Sequence, residues 1–316
     1  MIAYGPVPSR RLGRSVGINN IPAKICSYSC VYCQLGKTTE LSDKRRTFYD
    51  PKRIFQETQA RVEAARSKGE SIDYLTFVPD GEPTLDANLK REIELVSQLE
   101  IPIAVLTNAS LIWDTEVRDA LSSSDLVSLK IDGVTEEIWR RVDRPHRSLE
   151  LQKILDGIAA FSDEYEGNII TETMFLHHID YNDEIRKIAE FLKSLKITKS
   201  YIAIPTRPPT LEWVEAAQEG VLNQAFHEFV EVLGIKRVEL LIGYEGDAFS
   251  STGNLVEDIL SITAVHPMRE DAVRKLLEST NSNWDAILSL IDQRKLIELR
   301  YKDNTYYMRS LPSRTS

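Results

Sequence analysis

The chain has 316 residues, 42% of them hydrophobic, and a net charge of −9 at pH 7. This composition is typical of a globular protein with one large domain, alone or with a small appendage, and excludes a low-complexity chain. No stretch approaches the roughly 18 uninterrupted apolar residues of a membrane span, and the first 20 residues lack the apolar core of a signal peptide. We therefore expect a cytoplasmic protein that makes no membrane contact.

The charge is unevenly distributed along the sequence. Residues 1–53 contain ten Lys and Arg residues against three acidic ones, so the rest of the chain is strongly acidic. Such a basic segment is suited to phosphates or to an acidic partner. The alternative is a solvated surface strip with local counter-charges.

Short apolar runs alternate with amphipathic stretches from residue 16 onward. The runs are rich in β-branched residues and end in Pro, Asn, Asp or Gly, which predicts buried parallel strands. They cover residues 16–21, 73–79, 101–108, 125–132, 169–176, 200–205 and 238–244. Helical patterns lie between them at 51–66, 85–99, 149–161, 183–195 and 216–233. This alternation predicts an α/β fold, a partial (β/α)6 TIM-type barrel over residues 1–245.

The pattern changes at residues 243–254, GYEGDAFSSTGN, which we interpret as a linker. Three amphipathic helices and two strands follow, which predicts a small winged-helix domain over residues 255–316. This segment contains nine basic and nine acidic residues. Because a nucleic-acid reader usually has a basic face, protein or substrate docking is favoured over DNA binding.

All three cysteines of the chain, Cys26, Cys30 and Cys33, lie within the segment CSYSCVYC. An odd number of cysteines in a reducing compartment argues against disulfides. Zinc sites normally need four ligands in paired units, and the second pair is missing here. His177 and His178 lie far along the chain at the end of an apolar run, where packing or a loop explains them better. Three thiolates favour an iron–sulfur cluster with one iron open to another ligand.

The spacing C-x3-C-x2-C, with Tyr32 before the last cysteine and at the end of a first barrel strand, resembles the radical S-adenosylmethionine (SAM) superfamily. The resemblance covers roughly residues 1–245. It implies one [4Fe-4S] cluster on the three cysteines, shielded by Tyr32, with SAM on the open iron. It also implies reductive cleavage of SAM to a 5′-deoxyadenosyl radical that abstracts hydrogen from a substrate. An electron donor such as flavodoxin or ferredoxin is the expected partner.

The second predicted strand ends in DGEPT, residues 80–84, similar to the Gly-Gly-Glu-Pro segment that receives the SAM amino group in this superfamily. Asp80 stands in place of the first glycine. An ammonium group needs carbonyl or carboxylate acceptors, Gly81 permits close backbone approach, and Pro83 stiffens the turn. We therefore assign Gly81, Glu82 and Pro83 to SAM binding.

Polar residues at the ends of later strands complete the predicted site. Asn108, Asp132 and Glu172 are candidates for contacts with SAM. Lys130 and Asp132 lie two residues apart on one face of a strand, as a catalytic proton-transfer couple or substrate anchor would. An internal ion pair is the alternative. Arg207, between prolines, is a candidate contact for a carboxylate or phosphate.

The opening YGPVPSRRLGRSVGIN and the cysteine segment together resemble a group of radical SAM proteins related to the wyosine-forming tRNA enzyme. That enzyme needs a second cluster, which this chain cannot bind through thiolates. The remaining reactions are activation of a glycyl-radical partner, or direct modification of a small molecule, a nucleotide or a macromolecule such as tRNA or a protein. A hypothesis of another class is an iron–sulfur redox sensor that binds DNA.

Overall fold

The structure, a computed structural model, describes residues 2–241, 254–265, 267–301 and 303–310. In chain order the strands are β1 (Ala3–Ser9), β2 (Gly13–Ile18), β3 (Ile25–Cys26), β4 (Glu40–Leu41), β5 (Tyr74–Phe77), β6 (Ile103–Thr107), β7 (Leu126–Lys130), β8 (Asn168–Met174), β9 (Lys199–Ala203), β10 (Val238–Leu241), β11 (Met268–Arg269), β12 (Leu296–Tyr301) and β13 (Asn304–Arg309). Each of the seven predicted runs overlaps one of these strands.

The main sheet has eight strands in the order β1-β2-β5-β6-β7-β8-β9-β10. All neighbouring pairs from β2 to β10 are parallel, and β1 is antiparallel to β2. The predicted α/β class and largely parallel sheet are therefore confirmed, in an arrangement consistent with a partial barrel. Strand β1 was not predicted, because Pro6 and Pro8 interrupt its pattern of apolar residues. Proline cannot donate to a strand ladder and is tolerated at a sheet edge, where β1 lies.

Helices connect the parallel strands. The helices are α1 (Pro51–Ser67), α2 (Leu89–Val96), α3 (Thr115–Leu121), α4 (Glu136–Val142), α5 (Leu151–Glu164), α6 (Glu184–Lys193), α7 (Glu219–Leu233), α8 (Leu255–Val265), α9 (Glu270–Ser279) and α10 (Asp285–Asp292). The predicted helix 85–99 is shorter because tight 3-10 turns flank α2 on both sides. In the described part of the chain, none of the helices has the length and apolar character needed to cross a membrane.

Successive side chains of each strand point alternately to the two faces of the sheet. One face packs against the helices through fully buried residues such as Ile18, Val105 and Val127. The other faces the interior of the curved sheet. Successive side chains of a strand point to opposite faces, so Ser128 and Lys130 of β7 lie on this interior side and line a cavity there. The parallel strands thus carry their polar residues at one end of the interior.

The C-terminal segment folds as α8, β11, α9, α10, β12 and β13, with a three-stranded antiparallel sheet in the order β11-β13-β12. Its apolar core includes Tyr4 and Val7 of β1, so the segment packs on the edge of the main sheet. An ion pair of 3.6 Å between Arg61 of α1 and the fully buried Asp258 of α8 joins the same two regions. Residues 243–253 of the predicted linker lie outside the described residues.

Candidate active site

A cavity of about 320 Å³ opens at the carboxyl ends of the parallel strands. Most of the residues predicted from the sequence line it. They are Cys26, Cys30, Tyr32, Cys33, Gly81, Glu82, Asn108, Lys130 and Glu172. Pro83 and Asp132 are buried behind the cavity wall. The structure thus brings together residues from five segments of the chain that are distant in sequence.

The cysteine segment is fixed by main-chain hydrogen bonds to the end of α4. The amide of Val31 donates to the carbonyl of Val142 at 2.9 Å, and the amide of Ser29 donates to that of Asp143 at 3.0 Å. The Trp139 indole donates to the Tyr28 hydroxyl at 2.9 Å. The loop that carries the thiols is therefore held by a buried helix end.

The three thiols face different neighbours. The Asn108 amide lies 3.6 Å from the Cys26 sulfur, the Lys24 ammonium lies 3.6 Å from the Cys33 sulfur, and the Cys30 thiol donates to Asp143 at 3.3 Å. The thiols are absent from the set of His, Cys, Asp and Glu side chains in the described residues whose ligand atoms lie within 4.8 Å of one another. A tetrahedral zinc ion would hold its sulfur ligands roughly 4 Å apart. The three sulfur atoms do not all lie that close to one another, which fits a cluster whose irons each take one thiolate better than a single zinc ion.

Burial controls the charge state of these thiols. It raises the pKa of Cys26 to about 12, with a further contribution from the Glu82 carboxylate. Burial, followed by Asp143, also raises the pKa of Cys30 well above its ordinary value. In the metal-free chain these two thiols hold their protons at neutral pH. Metal binding must release those protons, and the donor set fits an iron–sulfur cluster.

The DGEPT segment lies directly against the cysteine segment. The amide of Glu82 donates to the carbonyl of Ile25 at 3.2 Å, and the amide of Lys24 donates to that of Asp80 at 2.7 Å. A Cβ atom on Gly81 would lie only 1.8 Å from the Ile25 carbonyl oxygen. Only glycine therefore permits this contact between the two segments.

The carboxylate of Glu82 is engaged in hydrogen bonds within the protein. It accepts from the hydroxyls of Thr84 and Thr107, both at 2.6 Å, and from the amide of Asn108 at 2.8 Å. Burial raises its pKa, and these hydrogen bonds oppose that shift. Glu82 therefore joins the ends of β5 and β6 beside the thiols.

Charged side chains at the ends of β7 and β8 form a connected network along the same cavity. Lys130 contacts Glu172 directly, and Arg11 contacts the other oxygen of the same carboxylate. The predicted partner of Lys130 was Asp132, whose carboxylate lies 4.0 Å from the Lys130 ammonium. Glu172 is the nearer carboxylate. Asp132 in turn accepts from the Tyr32 hydroxyl and from a main-chain amide. The network links the charged residues to Tyr32 in the cysteine segment.

Sequence reasoning missed Asp143. It is buried, accepts from Cys30, and shares a hydrogen bond with Asp132. Burial, followed by Asp132, raises the pKa of Asp143 well above its ordinary value. Nothing in the sequence marks Asp143, because it follows a short helix and lies 113 residues from the cysteine it contacts.

Three arginines lie along the same cavity. Arg10 and Arg11 come from the hairpin between β1 and β2, and Arg207 follows β9 and donates to Gln34 at 2.9 Å. The buried Nε atom of Arg10 has no hydrogen-bond partner among the described residues. The loop around Arg207 also meets the C-terminal segment, since Tyr306 donates to the Thr206 carbonyl at 2.9 Å. Arg207 therefore lies next to the place where the C-terminal segment contacts the cavity wall.

Several known proteins are similar to this chain in sequence or in fold. The UPF0026 protein MJ1312 of Methanocaldococcus jannaschii is 48% identical over 314 residues, which cover 99% of this chain and 97% of that protein. A structure of TYW1 with a lysine–pyruvate adduct superposes with a TM-score of 0.53 at 15% identity, over 69% of this chain and 73% of that one. A radical SAM methyltransferase from Sphaerobacter thermophilus gives 0.56 at 12% identity, over 72% and 66%.

The two solved structures establish similarity of fold. The family model described as the radical SAM superfamily matches residues 20–192, more than half of the chain. The matched range contains the three cysteines, DGEPT, Lys130 and Glu172. The chain therefore belongs to the radical SAM superfamily.

Proposed function

We propose that the chain is a radical SAM enzyme with a single [4Fe-4S] cluster held by Cys26, Cys30 and Cys33. The observation that supports this most strongly is the group of three separated thiols on the cavity wall, in a chain with no other cysteine. When bound, the cluster and SAM supply reductive cleavage of SAM to a 5′-deoxyadenosyl radical that takes a hydrogen atom from the substrate. A flavodoxin or ferredoxin provides the electron.

The residues around the thiols would bind and orient SAM. Main-chain groups at Gly81 and the side chain of Asn108 lie on the cavity wall next to the cysteine segment. Burial lowers the pKa of Lys130, but Asp132 and Glu172 more than offset it, so the net pKa is raised and the ammonium stays charged. Lys130 would therefore act as a fixed cation that positions SAM or substrate, held by the two carboxylates, and not as a base at neutral pH.

The substrate we propose is an RNA, with the C-terminal segment as its docking module. Arg10, Arg11 and Arg207 line the cavity, and guanidinium groups bind phosphate with two parallel hydrogen bonds. The order helix, strand, two helices and two strands between Leu255 and Arg309 supports the winged helix predicted for this part of the chain. Its contact with the Arg207 loop would place a docked RNA beside the cavity.

Anaerobic reconstitution with iron and sulfide tests this proposal. We expect about four irons per chain and formation of 5′-deoxyadenosine from SAM under a strong reductant. Cys30→Ala should lose both properties, whereas Ser29→Ala, in the same loop, should keep them. A reconstituted protein that binds DNA tightly and leaves SAM intact would instead identify an iron–sulfur regulator.

A further inference from the structure

Two histidines and a glutamate meet on the surface beyond β8, outside the cavity described above. His177 and His178 follow β8, and Glu215 lies in the segment before α7. One ligand atom from each side chain lies within 4.8 Å of the other two. None of the three lines the cysteine cavity. They form a separate group of nitrogen and oxygen donors.

Main-chain pairing holds the two segments in register. The amide of His177 donates to the carbonyl of Glu215 at 2.9 Å, and Leu176 and Ala216 form an antiparallel bridge. The amide of Ala217 donates to the carbonyl of Phe175 at 3.3 Å. The backbone therefore fixes the side chains of His177 and Glu215 next to each other, before any ion is bound.

The distance between the two donors suits a metal ion. The His177 Nδ1 atom lies 3.2 Å from a carboxylate oxygen of Glu215. Two ligands of a tetrahedral zinc ion, with bonds of about 2.0–2.1 Å, are separated by roughly 3.3 Å. The side chain of Glu215 is 65% exposed, so an ion reaches it from solvent.

The backbone of His178 brings the second imidazole to the same side. In an extended strand, adjacent side chains point to opposite faces. His178 instead adopts a left-handed conformation with φ of 61°, and its carbonyl accepts from Arg141 at 2.9 Å. The two rings consequently lie with their centroids 3.7 Å apart. Such a conformation is strained in a residue other than glycine, and two protonated rings would repel each other at this separation.

Gln218 provides an outer contact for the same ring. Its amide lies 3.0 Å from the Nε2 atom of His177. The oxygen and nitrogen of an amide exchange by a simple flip. With its oxygen toward the ring, Gln218 accepts the Nε2 proton and leaves Nδ1 as the metal-binding nitrogen. Histidine ligands commonly have such a partner.

We propose that His177, His178 and Glu215 bind one Zn²⁺ ion, with solvent completing its coordination. Imidazole and carboxylate ligands without thiolate suit a borderline divalent ion such as zinc. The ion clamps the loop after β8 to the segment between β9 and α7, at the same edge of the sheet as the cavity. This inference is independent of the proposed radical chemistry.

The test is an anaerobic calorimetric titration of the full, cluster-loaded chain with Zn²⁺. We expect one equivalent to bind, and the double variant His177→Ala/His178→Ala to lose that equivalent. Gln218→Ala should bind about tenfold more weakly, and His227→Ala, which alters an exposed histidine of α7, should match the unchanged protein.

Cobalt checks the ligand type on the iron-free chain. The difference between the Co²⁺ spectra of the unchanged protein and the double variant should show weak visible bands without the intense near-ultraviolet bands of thiolate ligation, because any Co²⁺ bound to Cys26, Cys30 and Cys33 is common to both proteins. Equal Zn²⁺ binding by the double variant and the unchanged protein would overturn the site, as would no Zn²⁺ binding by either. Cluster content and SAM cleavage should not change in the double variant, so failure here is distinct from failure of the proposed function.

Discussion

The two walls of the cavity are built in different ways. The wall that carries the thiols is joined through main-chain contacts, with Gly81 packed against the Ile25 carbonyl and Glu82 enclosed by hydroxyl and amide donors. The wall at the ends of β7 and β8 is joined through charged side chains, with Glu172 between Lys130 and Arg11. Segments joined by close main-chain contacts cannot move apart without losing those contacts, whereas charged side chains can exchange their partners for solvent or a ligand. We therefore expect the thiol wall to be rigid and the charged wall to respond to ligands.

Gly81→Ala should have the largest effect. Its new methyl group would meet main-chain atoms, which cannot rotate away, so the two segments must separate. We expect a loss of about 3 kcal/mol in the free energy of unfolding, measured by urea denaturation, together with reduced iron content after reconstitution.

Gly220→Ala is the matched control, because Gly220 lies in α7 and a Cβ atom there meets nothing within 4 Å. Alanine favours the helix, so this variant should be unchanged or more stable by up to about 1 kcal/mol. Equal stability and iron content in Gly81→Ala and the unchanged protein would show that the thiol wall is not rigid.

A buried carboxyl pair behind the DGEPT segment makes the stability of this wall depend on pH. Burial, followed by Asp86, raises the pKa of Glu92 to about 9 from an ordinary value of 4.5. The buried atoms Asp86 Oδ2 and Glu92 Oε1 have no donor among the described residues, and one shared proton satisfies both. Asn20 bonds both the Pro83 carbonyl and the Glu92 carboxyl, which connects the pair to DGEPT.

The folded state therefore keeps a proton that the unfolded chain releases above about pH 4.5. Stability should fall as pH rises toward 9, by at most about 1.4 kcal/mol per pH unit. Glu92→Gln supplies an amide that donates to Asp86 at every pH, so its urea midpoint should vary less between pH 5 and pH 9. Glu94→Gln, on the exposed face of α2, should retain the dependence of the unchanged protein; a parallel decline in all three would contradict the shared proton.

Glu172→Gln probes the charged wall. It leaves Lys130 and Arg11 without their shared anion. The side chains of Lys130 and Arg11 are only 18% and 16% exposed. We expect about 2 kcal/mol lower stability, with part of the loss recovered when an anion such as inorganic phosphate is added. Glu239→Gln removes an exposed partner of Lys199 and should change stability by less than about 1 kcal/mol. A loss that phosphate does not reduce would show that this wall, too, is rigid.

The same contrast explains what the sequence could predict. The thiol spacing and DGEPT are local patterns, and the strands that carry them are short β-branched runs, so both were visible without a structure. The Arg11–Glu172 contact joins residues 161 positions apart, and no local pattern indicates which acid an arginine will meet. Helices α3 and α4 have only seven residues each, too few to show a clear helical period of apolar residues. The sequence therefore did not predict α4, whose buried end positions Asp143.

Arg10→Ala should have the smallest effect on the fold and the most selective effect on binding. Because the buried Nε of Arg10 has no partner among the described residues, its removal should leave stability within about 0.5 kcal/mol. If Arg10 contacts a phosphate of the proposed RNA, affinity for a tRNA mixture should fall, and the slope of log affinity against log salt should decrease by about one.

Arg53→Ala removes one charge from the same basic segment but lies outside the cavity, with its side chain 60% exposed and paired with Glu57. It should leave affinity and salt slope close to those of the unchanged protein. Equal losses in both variants would mean that RNA responds to the overall basic charge of residues 1–53. A loss of affinity in Arg10→Ala alone would place the RNA phosphate at the cavity. It would then lie beside the charged wall, whose side chains can exchange partners with a ligand.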